Sequence, residues 1–377
     1  MKRIISVLLI FLIMFSSAVC SAEYIPSKPV KSLLLMEASS GKILYEQNSH
    51  ESLPPASVTK IMTMLLICEA VDSGKISLDT KITVSERAKS MGGSTIFLET
   101  NEVMTLNDLL KGIAVASAND ACVAVAEHMC GSVEAFVALM NARAKELGMK
   151  DTNFINCNGL DADNHYTSAY DIAIMSRELL KHSMIEKYTT IWMDSLRNGE
   201  FQLANTNKLI RFYQGANGLK TGSTSKAGCC ISATAKRDGM QLIAVVLGAE
   251  NSKDRFNAAS ELLNYGFANY TVTDFGEKNS QVCEVPVLYG NNNSIIALAQ
   301  DNTSVVIGKN DKDKLKTHIN VPKELEAPIQ KGDIIGDMVI TLDGETLVKV
   351  NLVSDRTVNK KGVKDYFTYF FKGLLNY

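Results

Sequence analysis

Three short groups of residues have the types and spacing to support nucleophilic chemistry. The first is Ser57-Val58-Thr59-Lys60. On a helix, residues three apart share a face, with Cβ atoms ~5–6 Å apart, so Lys60 can reach the Ser57 hydroxyl and take its proton. The serine follows Pro54-Pro55-Ala56, which places it at a helix N-terminus. Unpaired backbone N–H groups and the helix dipole favour an oxyanion there, beginning with the N–H of Ser57 itself. Lys60 must be neutral to act as a base. Its ordinary pKa of ~10.4 is lowered by burial and by a neighbouring ammonium group. Ser39 and Ser223 begin the same Ser-x-x-Lys spacing in turn-like contexts, but only Ser57 opens a long apolar segment.

The second group, Ser117-Ala118-Asn119, sits at a break between two helical stretches. A loop there can aim a hydroxyl and an amide into a cleft, or simply cap a helix. The third, Lys220-Thr221-Gly222, leads toward an apolar strand at 229–235. A lysine, a hydroxyl and a glycine without a side chain line an edge where a substrate backbone can add as a strand. The chain has no Gly-x-Ser-x-Gly elbow, and none of its five histidines lies in a His-Glu-x-x-His pair. A Ser–His–Asp triad assembles in space, so sequence alone leaves it open. No cysteine pair has zinc-finger spacing, and no metal or cofactor is expected. Asp171 is read as a helix cap and His165 as a solvent-facing loop residue. Gly92-Gly93-Ser94 is either a cleft-edge loop or a flexible turn, and Arg211 is a candidate for carboxylate binding.

These groups need elements to hold them. Residues 32–47 read as a hairpin turning at Ser39-Ser40-Gly41-Lys42, and the segment from Ala56 to Val71 as a buried helix with little polar face. Residues 106–148 are helical and Ala-rich, broken near Ser117 and at Gly131-Ser132, and Thr167-Ser168 starts a further helix reaching about Lys181. A second hairpin spans 229–249 around Arg237-Asp238-Gly239, followed by a helix from about 253 to 270. Strands at both ends with helices between predict an α+β unit over 30–272. In it the chain termini close one antiparallel sheet and a helical lobe is inserted. Residues 275–355 hold short β-rich runs at 282–288, 294–298, 304–307, 338–342 and 347–353, which read as a small all-β, sandwich-like domain.

The 377 residues allow two folded units, and a formal net charge of −2 gives no basis for a nucleic-acid partner. Lys2-Arg3, an apolar run over 4–15 and the small-residue exit Cys20-Ser21-Ala22 predict a secretory signal over 1–22. Its removal takes one of the eight cysteines and leaves an odd number, with adjacent Cys229 and Cys230 read as buried free thiols. Val363, Phe367, Phe370, Phe371 and Leu374 recur at helical spacing beside Lys360, Lys361, Lys364 and Lys372. That predicts an amphipathic helix over 360–377 lying in a membrane surface, on the outer face of the cytoplasmic membrane.

In this order, the three groups match the Ser-x-x-Lys, Ser-x-Asn and Lys-Thr-Gly set of penicillin-binding proteins and serine β-lactamases. The chain resembles the low-molecular-mass D-alanyl-D-alanine carboxypeptidases over 30–272. The phrases Pro55-Ala56-Ser57-Val58-Thr59-Lys60, Ala116-Ser117-Ala118-Asn119-Asp120-Ala121 and Gly218-Leu219-Lys220-Thr221-Gly222-Ser223 carry that likeness, together with residues 161–171. The resemblance implies the fold of that family, a C-terminal β domain and an amphipathic anchor. It also implies that Ser57 attacks the bond between two terminal D-alanines of a peptidoglycan stem peptide, Lys60 takes its proton, and Ser117 and Asn119 relay protons and hold the substrate amide. Lys220 and Thr221 would face the terminal carboxylate, the N–H groups of Ser57 and Ser223 would form the oxyanion hole, and β-lactam antibiotics would acylate Ser57. A serine β-lactamase and a non-catalytic cell-wall binding protein use the same residues and remain as alternatives at this level. The lack of a clear Glu-x-x-x-Asn in 150–200 disfavours the former.

Overall fold

The computed structural model describes residues 26–362. The expected signal at 1–22, and residues 363–377 of the terminal helix expected at 360–377, lie outside the described residues.

β1 (Ser32–Glu37) and β2 (Ile43–Gln47) form the first hairpin. The buried Glu37 carboxylate holds its turn by accepting the backbone N–H groups of Ser39 and Ser40. β3 (Ala216–Thr224), β4 (Gly228–Arg237) and β5 (Met240–Ala249) complete an antiparallel sheet in the order β2-β1-β5-β4-β3. Pairing of β1 with β5 closes the unit through its two chain ends, as expected. β5 shows how both faces are covered. Leu242, Ala244 and Val246 pack with Ala258, Ala259, Leu262 and Leu263 of helix α6 (Ser252–Asn269). Ile243, Val245 and Leu247 face the helical lobe. The period of two therefore splits one apolar run between two cores.

The lobe is built around α1 (Lys60–Asp72), in which every residue from 60 to 68 is buried. A helix apolar all round has no surface to offer water, so it becomes the centre of the lobe. It is preceded by a 3-10 turn at Ala56–Thr59, and Ser57 lies on that turn rather than on the α-helix itself. α2 (Leu106–Lys111) widens into a π turn at Gly112–Ala116 and stops at Ser117, whose φ of 65° is left-handed. α3 (Asn119–Cys130), α4 (Val133–Glu146) and α5 (Ala169–Leu179) follow. The hydroxyls of Ser132 and Ser168 cap α4 and α5 by accepting the N–H groups of Ala135 and Asp171.

β6 (Tyr270–Thr273) is followed by β7 (Gln281–Leu288), β8 (Ser294–Ala299), β9 (Val305–Gly308), β10 (Leu315–Asn320), β11 (Leu325–Glu326), β12 (Ile334–Leu342) and β13 (Glu345–Ser354). Six of these form a sheet in the order β10-β12-β13-β8-β7-β11, while β6 pairs with β9. β10 and β11 were not predicted: Lys316, Thr317, His318, Ile319 and Asn320 are all exposed and show no apolar alternation.

Candidate active site

Lys60 Nζ lies 2.8 Å from Ser57 Oγ, 2.7 Å from Asn119 Oδ1 and 2.6 Å from the Asn158 carbonyl oxygen. The last two partners can only accept. A neutral amine gives its two N–H groups to them and keeps its lone pair for the Ser57 hydroxyl, which then donates. Complete burial favours this neutral form, lowering the Lys60 pKa to about 8 against the pull of the Asp120 carboxylate and nearby thiols.

The turn bearing Ser57 is clamped from two sides. Ala56 has a left-handed φ of 49°. A Cβ on Gly222, in β3, would come within 2.8 Å of Ser57 N, and one on Gly159 within 1.9 Å of Ala56 O. Both glycines are required by the closeness of backbone to backbone. Gly159 was missed, since its role is made by the fold and carries no side-chain signal.

Ser117 is buried at the left-handed corner after the π turn, and no hydrogen bond occupies its hydroxyl among the described residues. Asn119 joins Lys60 to a loop: its Nδ2 donates to Gly92 O and its N–H to Ser94 O. Residues 92–94 are therefore a cleft-edge loop fastened to Asn119. Asp120 extends the fastening by accepting the backbone N–H groups of Ile96 and Leu98.

Lys220, Thr221, Gly222 and Ser223 lie within edge strand β3. Lys220 is buried and donates to Thr221 O at 2.9 Å. Burial lowers its pKa well below the ordinary value, and the charge of Lys60 adds to this. The Thr221 hydroxyl donates to Thr206, and Ser223 is exposed at the end of the same edge.

Several sequence readings need correction. His165 does not face solvent: it is buried, with Nε2 2.9 Å from Thr59 Oγ1 and Nδ1 2.9 Å from Ile155 N. Asp171 is not itself the cap. Ser168 caps α5, while the Asp171 carboxylate accepts from the Asp151 N–H and the Thr152 hydroxyl, tying the preceding loop to the helix. The Arg211 guanidinium stacks over Trp192 and Phe212. Behind β3, Arg255 is buried on α6 and donates to Gly222 O at 3.0 Å. Helical spacing gave no reason to single it out.

Comparison with known proteins agrees with this geometry. The family model for D-alanyl-D-alanine carboxypeptidase matches residues 21–251, and that for the C-terminal domain of penicillin-binding protein 5 matches residues 270–360. The chain is 44% identical to D-alanyl-D-alanine carboxypeptidase DacF of Bacillus subtilis, covering 96% of each chain. Among solved structures, penicillin-binding protein 5 of Haemophilus influenzae superposes with a TM-score of 0.78 at 33% identity, over 90% of this chain and all of that one. Penicillin-binding protein D2 of Listeria monocytogenes, solved in its ampicillin-bound form, gives 0.60 at 31% identity over 65% of this chain and all of that one. An amine seated against a serine hydroxyl, on a fold shared with these proteins over most of its length, makes this chain a member of the D-alanyl-D-alanine carboxypeptidase family of serine peptidases.

Proposed function

We propose that the chain releases the terminal D-alanine of peptidoglycan stem peptides through an ester on Ser57, and that penicillins form the same kind of ester and trap it. The contact of Lys60 Nζ with Ser57 Oγ, at 2.8 Å, carries this reading. Lys60 takes the hydroxyl proton as Ser57 Oγ attacks the carbonyl between the two D-alanines, and the tetrahedral oxyanion forms against the N–H groups of Ser57 and Ser223. The carbon–nitrogen bond breaks, the departing amine receives a proton, and D-alanine leaves. Water then hydrolyses the ester and restores the hydroxyl. Ser117 and Asn119 line the cleft on the lobe side. Lys220 and Thr221 receive the substrate carboxylate, whose negative charge would draw a proton back onto Lys220.

The apolar leader at 1–22 and the aromatic, lysine-flanked segment at 360–377 support export and attachment to the outer face of the cytoplasmic membrane. The test is intact-mass analysis after penicillin treatment, with peptide mapping of the adduct, alongside D-alanine release from a D-Ala-D-Ala peptide. A single penicilloyl group on Ser57, with both activities lost in Ser57→Ala, is expected. An adduct cleared within seconds would point to a β-lactamase, and D-alanine release at the wild-type rate by Ser57→Ala would end this reading.

A further inference from the structure

The hydrogen bonds around His165 have a fixed direction. Nδ1 faces the backbone N–H of Ile155, which can only donate, so Nδ1 accepts and carries no proton. The ring proton then sits on Nε2, which donates to Thr59 Oγ1 at 2.9 Å. The Thr59 hydroxyl in turn donates a hydrogen bond to the Ala56 carbonyl oxygen, also at 2.9 Å. That carbonyl belongs to the peptide group whose nitrogen is Ser57 N. A carbonyl that accepts a hydrogen bond polarises its amide, and its N–H becomes a better donor. The same carbonyl belongs to Ala56, held at a φ of 49°, a conformation that costs an alanine ~1–2 kcal/mol and needs holding. His165 is in place to hold it. Its ring is buried against Phe154, and burial keeps it neutral, with a pKa lowered to about 4.

We propose that His165 is a positioning residue for acylation: through the Thr59 hydroxyl it fixes the Ala56–Ser57 peptide so that the Ser57 N–H aims at the developing oxyanion. This rests on the reading of Ser57 as the nucleophile. It assigns a role to two side chains that touch neither substrate nor the reacting atoms.

The test compares penicillin acylation rates, steady-state constants on a D-Ala-D-Ala peptide and melting temperatures. In His165→Asn the side-chain oxygen can still accept from Ile155, but no donor reaches Thr59. Thr59→Val replaces the hydroxyl with a methyl group. Each is expected to slow acylation about tenfold, the equivalent of one hydrogen bond at ~1.4 kcal/mol. The loss should fall on kcat with KM nearly unchanged, since the N–H contact strengthens only in the transition state. The double variant should be about as slow as either single one, because both cut the same chain. Thr59→Ser, which keeps the hydroxyl, should recover most of the rate. Acylation at the wild-type rate in His165→Asn, whatever its melting temperature, would overturn the proposal, as would multiplied losses in the double variant. Should His165→Asn not fold, Thr59→Val decides alone on the same criterion. Wild-type protein without an adduct on Ser57 would sink the proposed function and this inference together. A wild-type adduct with unimpaired variants would sink only the inference.

Discussion

Two lysines, Lys60 and Lys220, are buried in one site, and among the described residues neither has a carboxylate as a hydrogen-bond partner. Desolvation disfavours each ammonium, and the charge of Lys60 further disfavours that of Lys220. The acylation rate should follow from this. Lys60 acts as a base only when neutral, and its pKa is lowered to about 8. Below that value most Lys60 is protonated and acylation is slow; above it the neutral fraction saturates. The second-order rate of penicillin acylation should therefore rise with pH and reach half its limit near pH 8. A profile flat between about pH 6 and 9 would remove Lys60 as the base. Replacing the amine altogether, in Lys60→Met, should slow acylation by ~10²–10⁴, the usual contribution of a positioned base. Ser57 and Lys60 were legible in the sequence because the i, i+3 geometry is local. His165, Asn158 and Arg255 were not, because burial and a backbone carbonyl partner are facts of the tertiary fold.

At the scale of elements, the site is a place where three pieces of backbone touch. The 3-10 turn carrying Ser57 is pressed between β3 and the loop before α5, with Gly222 on one side and Gly159 on the other. Gly159 also has a φ of 87°, so an alanine there meets both an unfavourable backbone region and the Ala56 carbonyl. Gly159→Ala should slow acylation at least tenfold and lower the melting temperature by several degrees, since a packed interior cannot absorb the displaced turn. A stable protein acylating at the wild-type rate would show that the turn can shift without losing its aim. The hairpins and α1 were readable from turn residues and apolar runs. β3 was not, because Asn217, Gly218, Lys220 and Gly222 are of types depleted in strands. Its strand form comes from pairing with β4, and its polar composition serves the cleft it borders.

For the molecule as a whole, the two units are joined by more than a linker. β6 leaves α6 and pairs with β9, Lys42 donates to Val306 O at 3.0 Å, and Lys309 donates to Phe267 O at 2.7 Å. The β-rich unit is thereby fastened beside the β2 edge of the sheet, while β3, with Lys220 and Thr221, forms the opposite edge. The described chain ends against the β-rich unit, where the Lys361 N–H donates to Tyr289 O. The Ser57 turn, the 92–94 loop and β3 are built from residues between 56 and 224, far earlier in the chain. Removing residues 363–377 should therefore leave penicillin acylation and D-alanine release in solution unchanged while abolishing co-sedimentation with anionic lipid vesicles. On the proposed helix the aromatic residues would supply apolar burial, and lysines beside them would add ~1 kcal/mol each at such a surface. Binding by the full chain should accordingly weaken as salt is raised. Equal sedimentation of full and shortened chains would place the membrane contact, if any, elsewhere on the protein, and lost acylation would tie the tail to the catalytic unit.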